Sequence, residues 1–514
     1  SMPAMREHPL ERISEFEERF ERWRRRLGLL AGPVAALGVF ALLDTLPAAE
    51  QRLAAVLTLV IVFWVTEAIP IPATALLGPA LCVLAGVADA RTVFRAFGDP
   101  IIFVFLGSFL LARAMTVNGL DRRVALAALG ARFIAGSPAR IRLAAGATAF
   151  ALSMWISNTA TVAILFPIVI GVSDALERLY REETAGRQKL VRGYTAGLML
   201  MVAYAASIGG LATPVGTPPN LIGLGMMENL AGVNIPFFQW MLVALPVAVT
   251  LFVLLALILR VLHPAPTGLG LEGLAATVAE MRRGIPAWGR AQSCTLIAFL
   301  TAVTLWVLPG VLALLFGAKS PLYQAVSGRL EEGVVALVAA ALLFLLPVDW
   351  RQPRGALGWR QAAEIDWGTI LLFGGGLSLG GLMYSTGLAE RVARGLLGAA
   401  GEPSVWTITA GAMLVTTVVT ETTSNTASAS MVVPVVIAVA KAAGVSPLAP
   451  ALGATLAASL AFMLPVSTPP NAIVYGSGRV SLLTMMRAGF WLDLVAFFAL
   501  LLLLRWLVPL LGMI

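Results

Sequence analysis

Apolar residues fill long runs along this chain, and polar positions are confined to short stretches between them or inside four of them. A run of about 20 apolar residues is the length of a membrane-spanning helix. Such runs recur at 27–46, 51–69, 72–88, 99–120, 235–262, 291–316, 331–347, 366–386 and 488–512. Period-two alternation, which would mark a membrane β-barrel, is absent. The pattern predicts an all-α polytopic membrane protein with about 11 transmembrane helices. Ahead of the first run, residues 1–26 read as a cytoplasmic amphipathic N-terminal helix, with Leu10, Ile13, Phe16, Phe20 and Trp23 at helical spacing and Arg24, Arg25 and Arg26 closing it.

Four segments break the pattern, and they form two matching pairs. In 137–172, two short apolar arms meet at Ser157-Asn158-Thr159; in 403–441, two arms meet at Ser424-Asn425-Thr426. Each reads as a re-entrant hairpin. The segment 192–228 reads as a helix broken around 213–220, at Gly216-Thr217-Pro218-Pro219-Asn220. The segment 446–476 reads as one broken around 465–471, at Ser467-Thr468-Pro469-Pro470-Asn471. Proline lacks an N–H and restricts the residue before it, so the Pro-Pro pairs are expected to hold an unwound loop extended. Backbone leaves the helix at membrane depth only where it is buried in protein or lines a cavity.

The two halves are related. Residues 101–125 align without gaps to 369–393 (369 − 101 = 268), with Gly119-Leu120 recurring as Gly387-Leu388 and Arg123-Val124-Ala125 as Arg391-Val392-Ala393. The Ser-Asn-Thr tips repeat at nearly the same offset (424 − 157 = 267). The expected organisation is a first repeat half at 27–262, a cytoplasmic linker at 263–290 and a second repeat half at 291–514. Lys and Arg gather in the loops on one side, which by the positive-inside rule puts the N-terminus in the cytoplasm of a plasma (cell inner) membrane protein. The second half then runs inverted relative to the first, and paired helix interruptions in inverted repeats point to the binding site of a secondary transporter.

Composition narrows the function further. The 514 residues are 59% hydrophobic and 12% charged, about half the charge of an ordinary soluble protein. The net charge of +8 lies in the loops, so it reports topology and not nucleic-acid binding. Two cysteines, Cys82 and Cys294, and two histidines, His8 and His263, support neither a disulfide framework, a zinc site nor a Ser-His nucleophile. An enzyme is not expected, and no cofactor beyond a coupling ion.

An alkali cation needs several oxygens, which freed carbonyls and Asn or Ser side chains supply; an anion needs N–H groups and the positive end of a helix. A hairpin tip followed by a new half-helix offers both. One Ser-Asn-Thr triplet would be weak evidence, because Ser and Thr commonly cap helices. Two triplets in repeat register, each followed by a Pro-Pro-Asn break, are strong evidence. Glu67, Arg113, Glu421 and Asp493 fall in or at the ends of spans, where charges are functional suspects. Glu67 and Asp493 are expected to be interfacial or paired, Arg113 to snorkel or pair, and Glu421 to tune ion or proton binding or to be structural. The run Gly374-Gly375-Gly376 fits close helix packing better than a phosphate loop.

Ser153-Met-Trp-Ile-Ser157-Asn158-Thr159-Ala160, Gly216-Thr217-Pro218-Pro219-Asn220, Thr420-Glu421-Thr-Thr423-Ser424-Asn425-Thr426-Ala427 and Thr468-Pro469-Pro470-Asn471-Ala472 resemble the motifs of the divalent anion/sodium symporters, which include di- and tricarboxylate carriers. The resemblance runs from about residue 27 to the end. It implies a homodimer whose hairpins and broken helices move as an elevator against a scaffold. By position it implies one sodium site at Ser153, Ser157, Asn158 and Gly216 and another at Thr420, Thr423, Asn425 and Ser467. Substrate carboxylates would lie near Ser157, Asn158, Thr159, Thr217, Ser424, Asn425, Thr426 and Thr468. Intact Ser-Asn-Thr triplets favour a C4-dicarboxylate such as succinate, malate or fumarate, coupled to Na+. A sodium-independent dicarboxylate exchanger, or the same fold carrying citrate or sulfate, stays open; a channel is disfavoured.

Overall fold

The computed structural model describes residues 15–129, 137–180, 184–266, 287–317, 319–351, 354–400 and 403–513. Most of the linker expected at 263–290, and Leu10 and Ile13 of the N-terminal stripe, lie outside the described residues. Among those described the chain is helical, with one isolated bridge between Asp349 and Arg354. Among the described residues, eleven helices are long and apolar enough to cross a membrane.

The main helices are α1 (Glu15–Leu42), α2 (Ala48–Thr66), α3 (Ile71–Leu84), α4 (Pro100–Val117), α5 (Leu120–Leu129), α6 (Pro138–Ser153), α7 (Asn158–Leu179), α8 (Ala185–Gly209), α9 (Pro218–Met226) and α10 (Phe237–Leu262). They continue as α11 (Arg290–Phe316), α12 (Glu332–Leu345), α13 (Trp367–Thr386), α14 (Leu388–Ala400), α15 (Val405–Thr422), α16 (Asn425–Ala442), α17 (Leu448–Ala457), α18 (Pro469–Gly476) and α19 (Leu482–Leu510). The repeat holds at helix starts: α6 and α15 begin 405 − 138 = 267 residues apart, α7 and α16 begin 425 − 158 = 267 apart, and α9 and α18 begin 469 − 218 = 251 apart.

Several boundaries differ from the sequence reading. The N-terminal helix and the first span, divided at 26/27 from the charge pattern, are one continuous helix, α1. Its basic turn pairs with the end of α2, where Arg24 and Arg25 lie 3.4 and 3.9 Å from the Glu67 carboxylate. The second arm of the first hairpin runs on to Leu179, and α8 starts at Ala185 instead of 192. Charged residues at these helix ends suggest loop in the sequence, whereas helices extend through polar residues once they leave the apolar layer.

Helix α8 is the axis of the packing. From Tyr194 to Gly209 every residue is buried, and α6, α7, α10 and α18 all pack on it. Small residues permit this. A Cβ on Gly209 would sit 2.3 Å from the Phe150 carbonyl oxygen, so α6 and α8 touch through backbone. The glycine run in α13 works likewise: a Cβ on Gly375 would lie 2.2 Å from the Ala75 carbonyl oxygen of α3, and one on Gly374 2.5 Å from the Phe97 ring. Those glycines are packing residues, as expected.

Candidate functional site

Each hairpin tip ends at a serine that starts the next helix. Ser157 is extended (φ −59°, ψ 145°), and its Oγ accepts the Ala160 N–H at 3.2 Å, which makes it the N-cap of α7. Ser424 caps α16 in the same way, with φ −67°, ψ 144° and the Ala427 N–H at 3.2 Å. A serine oxygen satisfies one of the four N–H groups that lack a helical partner at a helix start; the others remain available to a ligand. The asparagine that follows turns back to the preceding arm. Asn158 Oδ1 accepts from Ser153 Oγ at 2.6 Å, and Asn425 Oδ1 accepts from Thr420 Oγ1 at 2.8 Å. These bonds are repeat equivalents (420 − 153 = 425 − 158 = 267).

The helix breaks lie earlier than the sequence suggested. The unwound residues are 210–217 and 458–468, and Pro218-Pro219 and Pro469-Pro470 form the first turns of α9 and α18. The expectation that they hold the loop extended is corrected: a first-turn residue has no use for its N–H, and proline's φ already suits a helix start. Only the preceding residue is extended, Thr217 at φ −147° and Thr468 at φ −144°, as the proline after it requires.

What holds each break open is the asparagine after the prolines. Asn220 Nδ2 donates to the Gly210 and Thr213 carbonyls at 2.9 and 2.8 Å. Asn471 Nδ2 donates to the Ala461 and Leu464 carbonyls, both at 3.1 Å. All four acceptors are carbonyls freed by unwinding, and the pairs are again repeat equivalents (461 − 210 = 464 − 213 = 471 − 220 = 251). Both asparagines are fully buried, and each is a clasp across its own loop.

The tips and breaks converge on one cavity of about 520 Å³. All eight residues expected to contact substrate line it: Ser157, Asn158, Thr159, Thr217, Ser424, Asn425, Thr426 and Thr468. Of the residues implied as cation ligands, Gly216 and Ser467 also reach the cavity, while Ser153, Thr420 and Thr423 are buried. Ser153 and Thr420 lie directly behind the tip asparagines to which they donate. In the first half Asn158 meets the break closely, since a Cβ on Gly210 would be 2.6 Å from its Oδ1. In the second half the Thr420 hydroxyl is also 2.6 Å from the Ala458 carbonyl. The Ser467 hydroxyl is 2.9 Å from the Glu421 carboxylate and 2.8 Å from the Glu421 carbonyl, donating its proton there and keeping its oxygen lone pairs free.

Four helix N-termini therefore face this one cavity, those of α7, α9, α16 and α18, through their capping residues Ser157, Thr217, Ser424 and Thr468. Each carries about half a positive charge and stabilises a nearby anion by about 0.3–1 kcal/mol, more when partly buried. Arg113 also lines the cavity, but it is engaged by Glu364 and by the Gln361 carbonyl. Asp366, another lining residue, caps α13 through the Thr369 N–H and hydroxyl. What the arrangement offers an anion is chiefly N–H groups, hydroxyls and amides. The Ala458 carbonyl behind the second tip could not be picked out in the sequence because main-chain oxygens leave no mark there; Arg113 was visible as a charge inside a span.

Comparison with known proteins gives a consistent picture. Residues 23–514 match the family described as the sodium:sulfate symporter transmembrane region. The chain is similar to the sodium-dependent dicarboxylate transporter SdcS of Staphylococcus saprophyticus, with 33% identity over 494 residues, covering 94% of this chain and 91% of the relative. SdcS of Staphylococcus aureus is 32% identical over 486 residues, with the same coverage of both chains. Among solved structures, the Alcanivorax borkumensis YdaH transporter, described as having an unusual topology, aligns with a TM-score of 0.51 at 14% identity, covering 80% of this chain and 86% of that one.

Proposed function

We propose, since this chain belongs to the sodium:sulfate symporter family, that it imports C4-dicarboxylates coupled to sodium. The chain is a multi-pass membrane transporter and not an enzyme. The observation that carries the substrate reading is the single cavity ringed by four helix N-termini and two Ser-Asn-Thr tips. Its volume of about 520 Å³ lies within the range of small-molecule sites. A dicarboxylate has an anionic group at each end, and the repeat offers each end an equivalent tip.

Cation coupling follows from charge. Moving a dianion inward against 100 mV costs about 4.6 kcal/mol, twice the cost for one charge, and accompanying cations remove that cost. The oxygens for them would come from Ser153, Ser157, Asn158 and the Gly216 carbonyl on one side. Thr420, Thr423, Asn425 and Ser467 would serve on the other, with the Ala458 carbonyl beside Thr420. Alternating access would come from the hairpins α6–α7 and α15–α16 and the broken helices α8–α9 and α17–α18 sliding as an elevator against the scaffold helices of a homodimer, with the N-terminus cytoplasmic.

Substrate class is tested by competition. With labelled succinate entering proteoliposomes under an inward sodium gradient, excess unlabelled malate or fumarate is expected to cut uptake at least about tenfold, while sulfate and citrate leave most of it. Sulfate that both competes and is itself accumulated would overturn the dicarboxylate assignment.

A further inference from the structure

Among the described residues that line the cavity only two are charged, Arg113 of α4 and Asp366 at the start of α13. They lie on the wall that α4 and α13 add to the tips and breaks. The repeat does not account for the arginine. Its matching position in the second half is Gly381 (381 − 113 = 268), so the cation has no counterpart there. A ligand whose two ends are read by equivalent tips and half-helix termini has no symmetric use for it. Arg113 is a one-sided addition to a two-sided site.

The rest of this wall offers an anion little. The Ser108 and Thr116 hydroxyls donate to the Phe105 and Ala112 carbonyls at 3.0 and 3.3 Å, and the Thr369 hydroxyl donates to the Asp366 carboxylate at 2.6 Å. Phe109, Ala112 and Ile365 complete it with apolar surface. Asp366 itself presents a like charge. Arg113 is the one group on this wall suited to receive a carboxylate, and it is already taken. Its guanidinium pairs with the Glu364 carboxylate, and its Nε donates to the Gln361 carbonyl at 3.3 Å. The arginine side chain is 30% exposed and the glutamate 62%, so the acid stands nearer to solvent than the cation it covers. Glu364 is tethered in the same chain and meets Arg113 at a high effective concentration. A carboxylate arriving from solution must displace it.

We propose that the Arg113–Glu364 pair limits the cavity to two carboxylates by denying a third one its cation. This assignment rests on the dicarboxylate reading above and names the residues that set its selectivity. The two ends of a dicarboxylate go to the two tips. A tricarboxylate such as citrate, held in the same way, has the wall of α4 and α13 left for its third carboxylate. There it meets Asp366 as a like charge and Arg113 already neutralised. It gives up water without gaining a counter-charge, and that costs binding. Selectivity of this kind is built by withholding a partner from the wrong ligand. Removing the Glu364 charge returns to the cavity a planar guanidinium, whose paired N–H donors match a carboxylate.

The test is calorimetric binding of succinate and of citrate to the purified protein with sodium present, at a pH where citrate is a trianion. The wild type is expected to prefer succinate. In Glu364→Gln, which keeps the shape of the side chain and removes its charge, the affinity of citrate relative to succinate should rise at least about tenfold, the scale of one hydrogen bond to a charged group. If that variant does not fold, Glu364→Ala makes the same test. Adding Arg113→Gln to Glu364→Gln should return the ratio to the wild-type value, which a purely structural effect of the first substitution would not do. A ratio that does not move in Glu364→Gln, or a gain for citrate that survives the loss of Arg113, overturns the assignment. So does a wild type that binds citrate as tightly as succinate. Failure of the reading beneath it looks different: a wild type that binds no succinate removes the dicarboxylate site, and this assignment with it.

Discussion

Asn158→Ala and Asn425→Ala are each expected to cut substrate uptake at least about 100-fold while the protein still folds. Each asparagine sits at the first position of a half-helix and contributes an amide oxygen, held by Ser153 or Thr420, and an amide N–H group beside the substrate cavity. Hydrogen bonds to charged groups are worth about 1.5–3 kcal/mol each. Losing one to a cation and one to a carboxylate therefore removes about 3–6 kcal/mol, and each 1.4 kcal/mol is tenfold. The cost to folding is smaller, since only the buried Ser153 or Thr420 hydroxyl loses an acceptor, about 1–3 kcal/mol, and Thr420 can turn to the Ala458 carbonyl. Initial uptake rates, read beside size-exclusion profiles, check both halves of the statement. Near-normal sodium-driven uptake in both variants would remove the tips from the site.

Asn220→Ala and Asn471→Ala are expected to behave in the opposite way, acting first on stability. Each amide bonds two carbonyls freed by helix unwinding, in a fully buried setting. Truncation strands the Gly210 or Ala461 carbonyl without solvent, at about 1–3 kcal/mol, and costs the Thr213 or Leu464 carbonyl, which keeps the Gly216 or Ser467 N–H, a second bond of about 0.5–1.5 kcal/mol, so each variant loses about 1.5–4.5 kcal/mol. Thermal melting in detergent should fall by about 1–4 °C, at roughly 1 °C per kcal/mol for a chain of this length. A variant that melts with the wild type would show that the breaks are held by something other than these clasps.

The contrast between the two asparagine pairs separates what the sequence could show from what it could not. Long apolar runs with four interruptions in repeat register were enough to expect an all-helical membrane protein, two hairpin tips and two broken helices. The tip residues expected to contact substrate all reach one cavity. The Pro-Pro pairs were misread because proline is compatible with both an extended loop and a first helical turn, and only the position of the unwinding distinguishes them. Asn220 and Asn471 read as part of the helix breaks, but the sequence did not show that their amides reach ten and seven residues back along the chain to hold them. Such bonds depend on the path of the loop, which composition does not encode. The pairing of Arg113 with Glu364 joins residues far apart in sequence, so charge alone could mark Arg113 as a suspect without naming its partner.

The central claim is that one cavity couples a dicarboxylate to sodium. The measurement that bears on it most directly is labelled succinate uptake into proteoliposomes, with and without an inward sodium gradient, and with an empty or dicarboxylate-loaded lumen. The account predicts uptake into empty vesicles that depends on the sodium gradient and saturates with succinate. Uptake that ignores sodium and requires internal dicarboxylate would contradict it, making the protein an exchanger and leaving the oxygens around Asn158 and Asn425 without a coupling ion to bind.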